Sequence, residues 1–136
     1  SCTACHRGHV ARDTLSDALE QLAVCTDCHV DVRAALNRRS AHPIRDGQQR
    51  CTDCHAPHGS PGPGMLIRGA GNDTCYDCHA EKRGPFLWEH APVGEDCGNC
   101  HVPHGSQHES LLTARTPWLC QQCHLAQFHP STALTG

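Results

Sequence analysis

The stretch Cys51-Thr-Asp-Cys-His-Ala-Pro-His-Gly-Ser60 returns 46 residues later as Cys97-Gly-Asn-Cys-His-Val-Pro-His-Gly-Ser106. Each copy holds a C-x-x-C pair, a histidine directly after it and a second histidine three residues further on. Outward from these two copies, the C-x-x-C-H core recurs along the whole chain. All twelve cysteines fall into six pairs: Cys2/Cys5, Cys25/Cys28, Cys51/Cys54, Cys75/Cys78, Cys97/Cys100 and Cys120/Cys123. The residue after each pair is His6, His29, His55, His79, His101 and His124. With 13 histidines in 136 residues, six out of six would arise by chance about once in a million. Two thiols at this spacing can add across the vinyl groups of a porphyrin as thioethers. The adjacent histidine then reaches the iron of the same macrocycle, which is how c-type haem is attached. Six motifs imply six covalent haem c groups.

Two other readings of the cysteines fit less well. Two C-x-x-C knuckles can hold one tetrahedral zinc, but zinc requires no histidine after every pair. Disulfides account for an even cysteine number in an exported protein and leave the third residue of each motif unexplained.

Composition points the same way. The formal charge is -3, aromatics make up 4% of residues, and twelve of the nominally hydrophobic residues are cysteine. Mean hydropathy is -0.51. So little apolar side chain predicts a poor polypeptide core, with porphyrins supplying the missing interior. The charge leaves no basic footprint for nucleic acid. No apolar run has the length of a membrane-spanning segment. The sequence opens at Ser1-Cys2 without a charged-then-apolar leader, so any signal peptide is expected to be absent from this chain.

Successive motifs start 23, 26, 24, 22 and 23 residues apart, too few to wrap a macrocycle individually. Neighbouring haems are therefore expected to share walls. Odd-numbered motifs carry a close second histidine: His9, His58 and His104. Even-numbered motifs are followed instead by a histidine with proline close behind: His42-Pro43, His90-Ala-Pro92 and His129-Pro130. The repeating unit is then a two-haem module used three times, with boundaries at 1-50, 51-96 and 97-136 of a single hexahaem unit.

Six proximal histidines leave seven, and the repeat nominates six of these as distal ligands: His9, His42, His58, His90, His104 and His129. Every iron can then be bis-histidine. A histidine three residues past a proximal one cannot reach the far face of the same haem, so His9, His58 and His104 are expected to serve other haems. His108 lies outside the pattern and is expected not to ligate. Met65, the sole methionine, sits in a Gly-rich loop and reads as a packing residue. Phe86, Trp88, Trp118 and Phe128 read as porphyrin-packing residues, and Arg45, Arg50, Lys82 or Arg83 as partners for haem propionates.

The predicted fold is mostly irregular, with a few short α-helices and no significant β-sheet. One helix is expected over Asp13 to Val24, with Asp13 as its N-cap, and a second from Cys25 through Asn37. Gly- and Pro-rich stretches such as 59–64 and 68–72 read as loops.

The strings between the motifs carry a resemblance. Asp31-Val-Arg-Ala-Ala-Leu-Asn-Arg-Arg-Ser-Ala-His-Pro43 leads into the 51–60 stretch. It resembles the periplasmic decahaem cytochromes of outer-membrane porin–cytochrome conduits (the Mtr/Dms type). Glu81-Lys-Arg-Gly-Pro-Phe-Leu-Trp-Glu-His-Ala-Pro92 and Cys120-Gln-Gln-Cys-His124 with Phe128-His129-Pro130 look like the same family, and the pentahaem donor subunits of nitrite reductases are a more distant likeness. With six motifs where the family has ten, the chain reads as a shortened relative or a fragment. The resemblance implies a linear chain of bis-histidine haems in the periplasm or at the outer membrane.

Bis-histidine irons have no open position for substrate, so the chain is expected to be an electron carrier and not an enzyme. The alternatives are a haem reductase of the nitrite or hydroxylamine type and a subunit of a conductive cytochrome filament. Expected partners are redox protein donors and acceptors, with an outer-membrane porin or end-to-end copies of the chain as further candidates. Thioether attachment takes place outside the cytoplasm, which places the chain in the periplasm or the extracellular space.

Overall fold

The structure, a computed structural model, describes residues 1–6 and 14–124. It holds five short α-helices: α1 Ala18–Thr26, α2 Val30–Leu36, α3 Gly71–Tyr76, α4 Ala91–Glu95 and α5 Trp118–Gln121. Single turns of 3-10 helix and loops make up most of the rest. Among the described residues there are no strands, only the isolated antiparallel bridges Ser40–Ser106, His55–Leu66 and His101–Leu112. The irregular, sheet-free fold agrees with the sequence reading.

Helix boundaries do not agree. The helix expected from Asp13 begins instead at Ala18, because Asp17 caps it by accepting from the Leu19 and Glu20 amides at 3.0 and 3.1 Å. Asp13 lies outside the described residues. The helix continues past Val24 to carry Cys25. The second helix starts at Val30, not Cys25, because the Cys28 and His29 amides fold back on Cys25 O as part of the motif turn. Gly71 and Asn72, read as loop, open α3.

The six motifs share one local conformation. In each, the histidine amide donates to the carbonyl of the first cysteine, at 2.8 Å in His6, 3.0 Å in His29 and 2.9 Å in the other four. The setting of this turn alternates along the chain. Motifs one, three and five open on a 3-10 turn (Cys2–Ala4, Cys51–Asp53, Cys97–Asn99), whereas two, four and six have their first cysteine on α1, α3 and α5.

Residues 51–67 and 97–113 also fold alike beyond the motif. Gly64 and Met65 have φ of 58° and 61°, and their counterparts Ser110 and Leu111 have 54° and 59°. Two successive left-handed residues form a type I′ turn, closed by Leu66 N–H to Pro63 O at 3.1 Å and by Leu112 N–H to Glu109 O at 3.2 Å. The returning segment pairs with the motif: Ala56 N–H donates to Met65 O and Val102 N–H to Leu111 O, at 2.8 and 2.7 Å. Ser60 and Ser106 hydroxyls reach the carbonyls of Leu66 and Leu112.

One long-range clamp joins the end of α2 to the fifth motif. Ser40 and Ser106 exchange amide–carbonyl bonds of 2.9 and 2.7 Å, and Arg38 donates to Gly105 O at 3.1 Å. Gly105 is required here by close approach, since a Cβ would lie 2.0 Å from Ala35 O.

The core is nearly absent. Among the described residues the buried hydrophobics are Ala35 and Leu36, at 9% and 2% exposure, while Leu87 and Trp88 are 91% and 88% exposed. A chain this long with two buried apolar side chains cannot offset its own ordering entropy. A large apolar group must complete the interior.

Candidate haem-binding site

The twelve cysteines are unpaired, so the disulfide reading fails. Among the described residues no three His, Cys, Asp or Glu side chains converge on a point where a metal ion could sit, as a zinc knuckle would require.

The histidines converge in pairs instead. Ring centroids are 5.7 Å apart for His6 and His58, 5.9 Å for His55 and His104, 6.0 Å for His90 and His124, and 6.3 Å for His42 and His79. The planes of the first three pairs lie within 28° of parallel, and the fourth is tilted by 46°. Two imidazoles on opposite sides of one metal, each nitrogen about 2 Å from it, place their centroids roughly 6 Å apart. Each pair joins one motif histidine to one histidine from the second set, always from a different motif. Among the described residues His29 and His101 belong to no such pair, and His9 and His129 lie outside the described residues.

Second-sphere bonds fix the ring nitrogens. His55 Nδ1 bonds Gly64 O at 2.9 Å, and His101 Nδ1 bonds Ser110 O at 2.7 Å. His42 Nδ1 bonds Pro103 O at 2.7 Å. A carbonyl only accepts, so each Nδ1 carries the proton and each Nε2 presents a lone pair. The left-handed turn is what aims the Gly64 and Ser110 carbonyls at these rings. Burial, with His55 next, lowers the pKa of His104 and favours its neutral form.

The thiols also meet between motifs. Burial pushes Cys25 and Cys75 up to about 11, assisted by the Cys51 and Cys97 thiols in hydrogen-bonding contact with them. Cys25 also senses Cys5, Cys54 senses Cys78, and Cys75 senses Cys54. The motif edges thus adjoin in chain order from the first to the fifth.

In all six motifs the amide of the second cysteine folds back onto the carbonyl of the first, at 3.1 to 3.4 Å. Cys28 is left exposed, as are Cys2, Cys5, Cys54, Cys78, Cys120 and Cys123, while Cys100 is half-buried.

The other residues singled out by sequence fall as follows. Ser106 Oγ accepts the His108 amide at 3.0 Å, as Ser60 Oγ accepts that of Gly62 at 2.9 Å, so His108 has a backbone job in the loop. Met65 is 44% exposed in the left-handed turn. Arg50 and Arg83 are engaged by Asp53 and Asp73 at 3.0 and 3.1 Å, and Lys82 lies 3.8 Å from Glu81. Phe86 and Trp118 are 45% and 61% exposed. Two residues that sequence reasoning passed over, Gln21 and Asn72, are buried at the motif junctions.

Unpaired thiols in a common turn, imidazole pairs with ring centroids roughly 6 Å apart and a missing apolar interior all fit covalent haem. These features define a multihaem c-type cytochrome. The doubled CXXCH motif model matches residues 42–84 and 90–128, and the chain belongs to that family. Over all 136 residues it is 52% identical to the multiheme cytochrome MtrA of Shewanella baltica (strain OS185), and it spans 41% of that protein's length. No helix among the described residues is long and apolar enough to cross a membrane.

Proposed function

We propose that this chain carries six covalent bis-histidine haem c groups in three two-haem modules (1-50, 51-96, 97-136) and relays electrons between redox proteins. When bound, haem supplies one-electron chemistry at its iron; the polypeptide supplies attachment, ligands and spacing. The observation that carries the reading is the four cross-motif imidazole pairs. His58 and His104 each reach back to the preceding odd motif, and His42 and His90 reach forward to the next even one. Ligands therefore tie each module to its neighbours. His9 and His129 complete the proposed distal set. All twelve cysteines supply the thioethers, Cys28 and Cys100 among them through their place in the motif turn. The run of neighbouring thiols supports a linear order of haems along the chain.

Six-coordinate irons leave no position for substrate, which supports an electron carrier over a reductase. Thioether chemistry supports a periplasmic or extracellular site, with a porin or other copies of the chain as candidate partners.

Electron paramagnetic resonance of the oxidised protein tests the ligand pairs. The account expects low-spin ferric signals from the four paired irons, with the His42/His79 iron shifted from the others by its greater ring tilt. High-spin signals from those four irons would overturn it.

A further inference from the structure

We infer that Gln21 and Asn72 are positioning residues that set the spacing of successive haems where one two-haem module meets the next. The inference rests on the six-haem reading above. Both side chains are buried, at 5% and 8% exposure, in a protein that buries little else. Both are carboxamides on the helix that leads into an even-numbered motif, four residues before Cys25 and three before Cys75. Those offsets put each on the helix face of the cysteine it precedes.

Each carboxamide grips the start of the following odd-numbered motif. Asn72 Oδ1 accepts from the Cys97 amide at 2.7 Å, while its Nδ2 donates to Val93 O and Gly94 O at 3.3 and 3.2 Å. Gln21 Oε1 accepts from the Thr52 amide at 2.9 Å, and its Nε2 donates to Leu15 O and Thr52 Oγ1, both at 3.1 Å. Gln at one junction and Asn at the other, displaced by one helix position, reach the same result. Each brings the first thiol of one motif against the first thiol of the next, Cys25 to Cys51 and Cys75 to Cys97. Those thiols are the attachment points of the second and third, and of the fourth and fifth, haems. Among the described residues no imidazole pair joins the second motif directly to the third or the fourth to the fifth: the third-motif pair is His55/His104 and the fourth-motif pair is His42/His79. The carboxamides join these adjacent motif edges directly, whereas the described imidazole pairs skip from odd motif to odd and from even to even.

A merely structural role predicts loss of stability alone. A spacing role predicts a change in haem–haem coupling in a protein that keeps its haems. The test is Soret circular dichroism of the purified holoprotein, whose bisignate signal reports coupling between neighbouring porphyrins, with haem number read from intact mass. Asn72→Leu removes three hydrogen bonds at nearly constant volume. It is expected to keep six haems and lose a clear fraction of the bisignate amplitude. Asn72→Asp keeps the acceptor for Cys97 N–H and is expected to retain more of that amplitude. A six-haem Asn72→Leu protein with an unchanged Soret signal overturns the inference. If Asn72→Leu does not assemble, Asn72→Ala and Gln21→Met, which also remove the acceptor, decide: a reduced signal in both upholds the inference, and an unchanged signal in either overturns it. Fewer than six haems in the unsubstituted chain contradicts the functional reading instead, so the two failures are told apart.

Discussion

The ring of His104 stands 5.9 Å from that of His55, although His104 is only three residues from His101. On the proposed ligation His101 and His104 serve different haems, so a mutation beside one motif should be read out at another. His104→Met should give Met/His ligation at the iron held by His55 and raise that potential on the order of tenths of a volt, within the ~0.8 V range that axial ligands span. Spectroelectrochemistry of the holoprotein checks this. In a Cys51→Ala/Cys54→Ala background, which lacks the third haem, the same substitution should move no remaining potential. Loss of the effect in Cys97→Ala/Cys100→Ala instead would reassign the ligand.

The twin loops differ at one strained position. Gly64 and Ser110 share a left-handed backbone, at φ of 58° and 54°, but only one of them is glycine. An L-residue there costs roughly 1–2 kcal/mol. Ser110→Gly should therefore stabilise the holoprotein by about 1 kcal/mol, and Gly64→Ser should destabilise it by about as much. Denaturant titration of both variants gives the two signs.

Gly105 and Gly59 occupy the same loop position, with φ of 156° and 142°. A Cβ on Gly105 would meet Ala35 O at 2.0 Å, whereas one on Gly59 meets nothing within 4 Å. Gly105→Ala should cost about 1–3 kcal/mol more than Gly59→Ala through the forced backbone shift. Urea midpoints of the two variants, measured side by side, give the difference. Equal losses would mean that the α2 clamp on the fifth motif adds nothing.

The same clamp includes the Arg39–Glu109 ion pair, at 2.9 Å with both side chains mostly exposed. Glu109→Ala should cost under about 1 kcal/mol, and the loss should shrink with added salt. A larger, salt-independent loss would assign Glu109 some other role.

What could be read from sequence was local. The C-x-x-C-H turn closes on itself through one hydrogen bond, so its six copies could be read without the rest of the fold. The scarcity of apolar residues foretold the absent core. Helix starts were harder, because Asp13 and Asp17 are both acceptable caps and only the fold selects Asp17. The partner of each histidine was not readable, since His6 and His58 are 52 residues apart and no local rule joins them. Gln21 and Asn72 were missed for the same reason. A buried carboxamide is marked only by what lies across from it, although their shared placement one turn before a motif cysteine was a usable signal.

The central claim is six covalent haems on one chain. Intact mass spectrometry of the purified, denatured protein measures it directly, because thioether bonds survive unfolding. The account predicts a mass above the 14.7 kDa polypeptide by six haems. A smaller number of haems, or a bare chain with its thiols free to react, would contradict it.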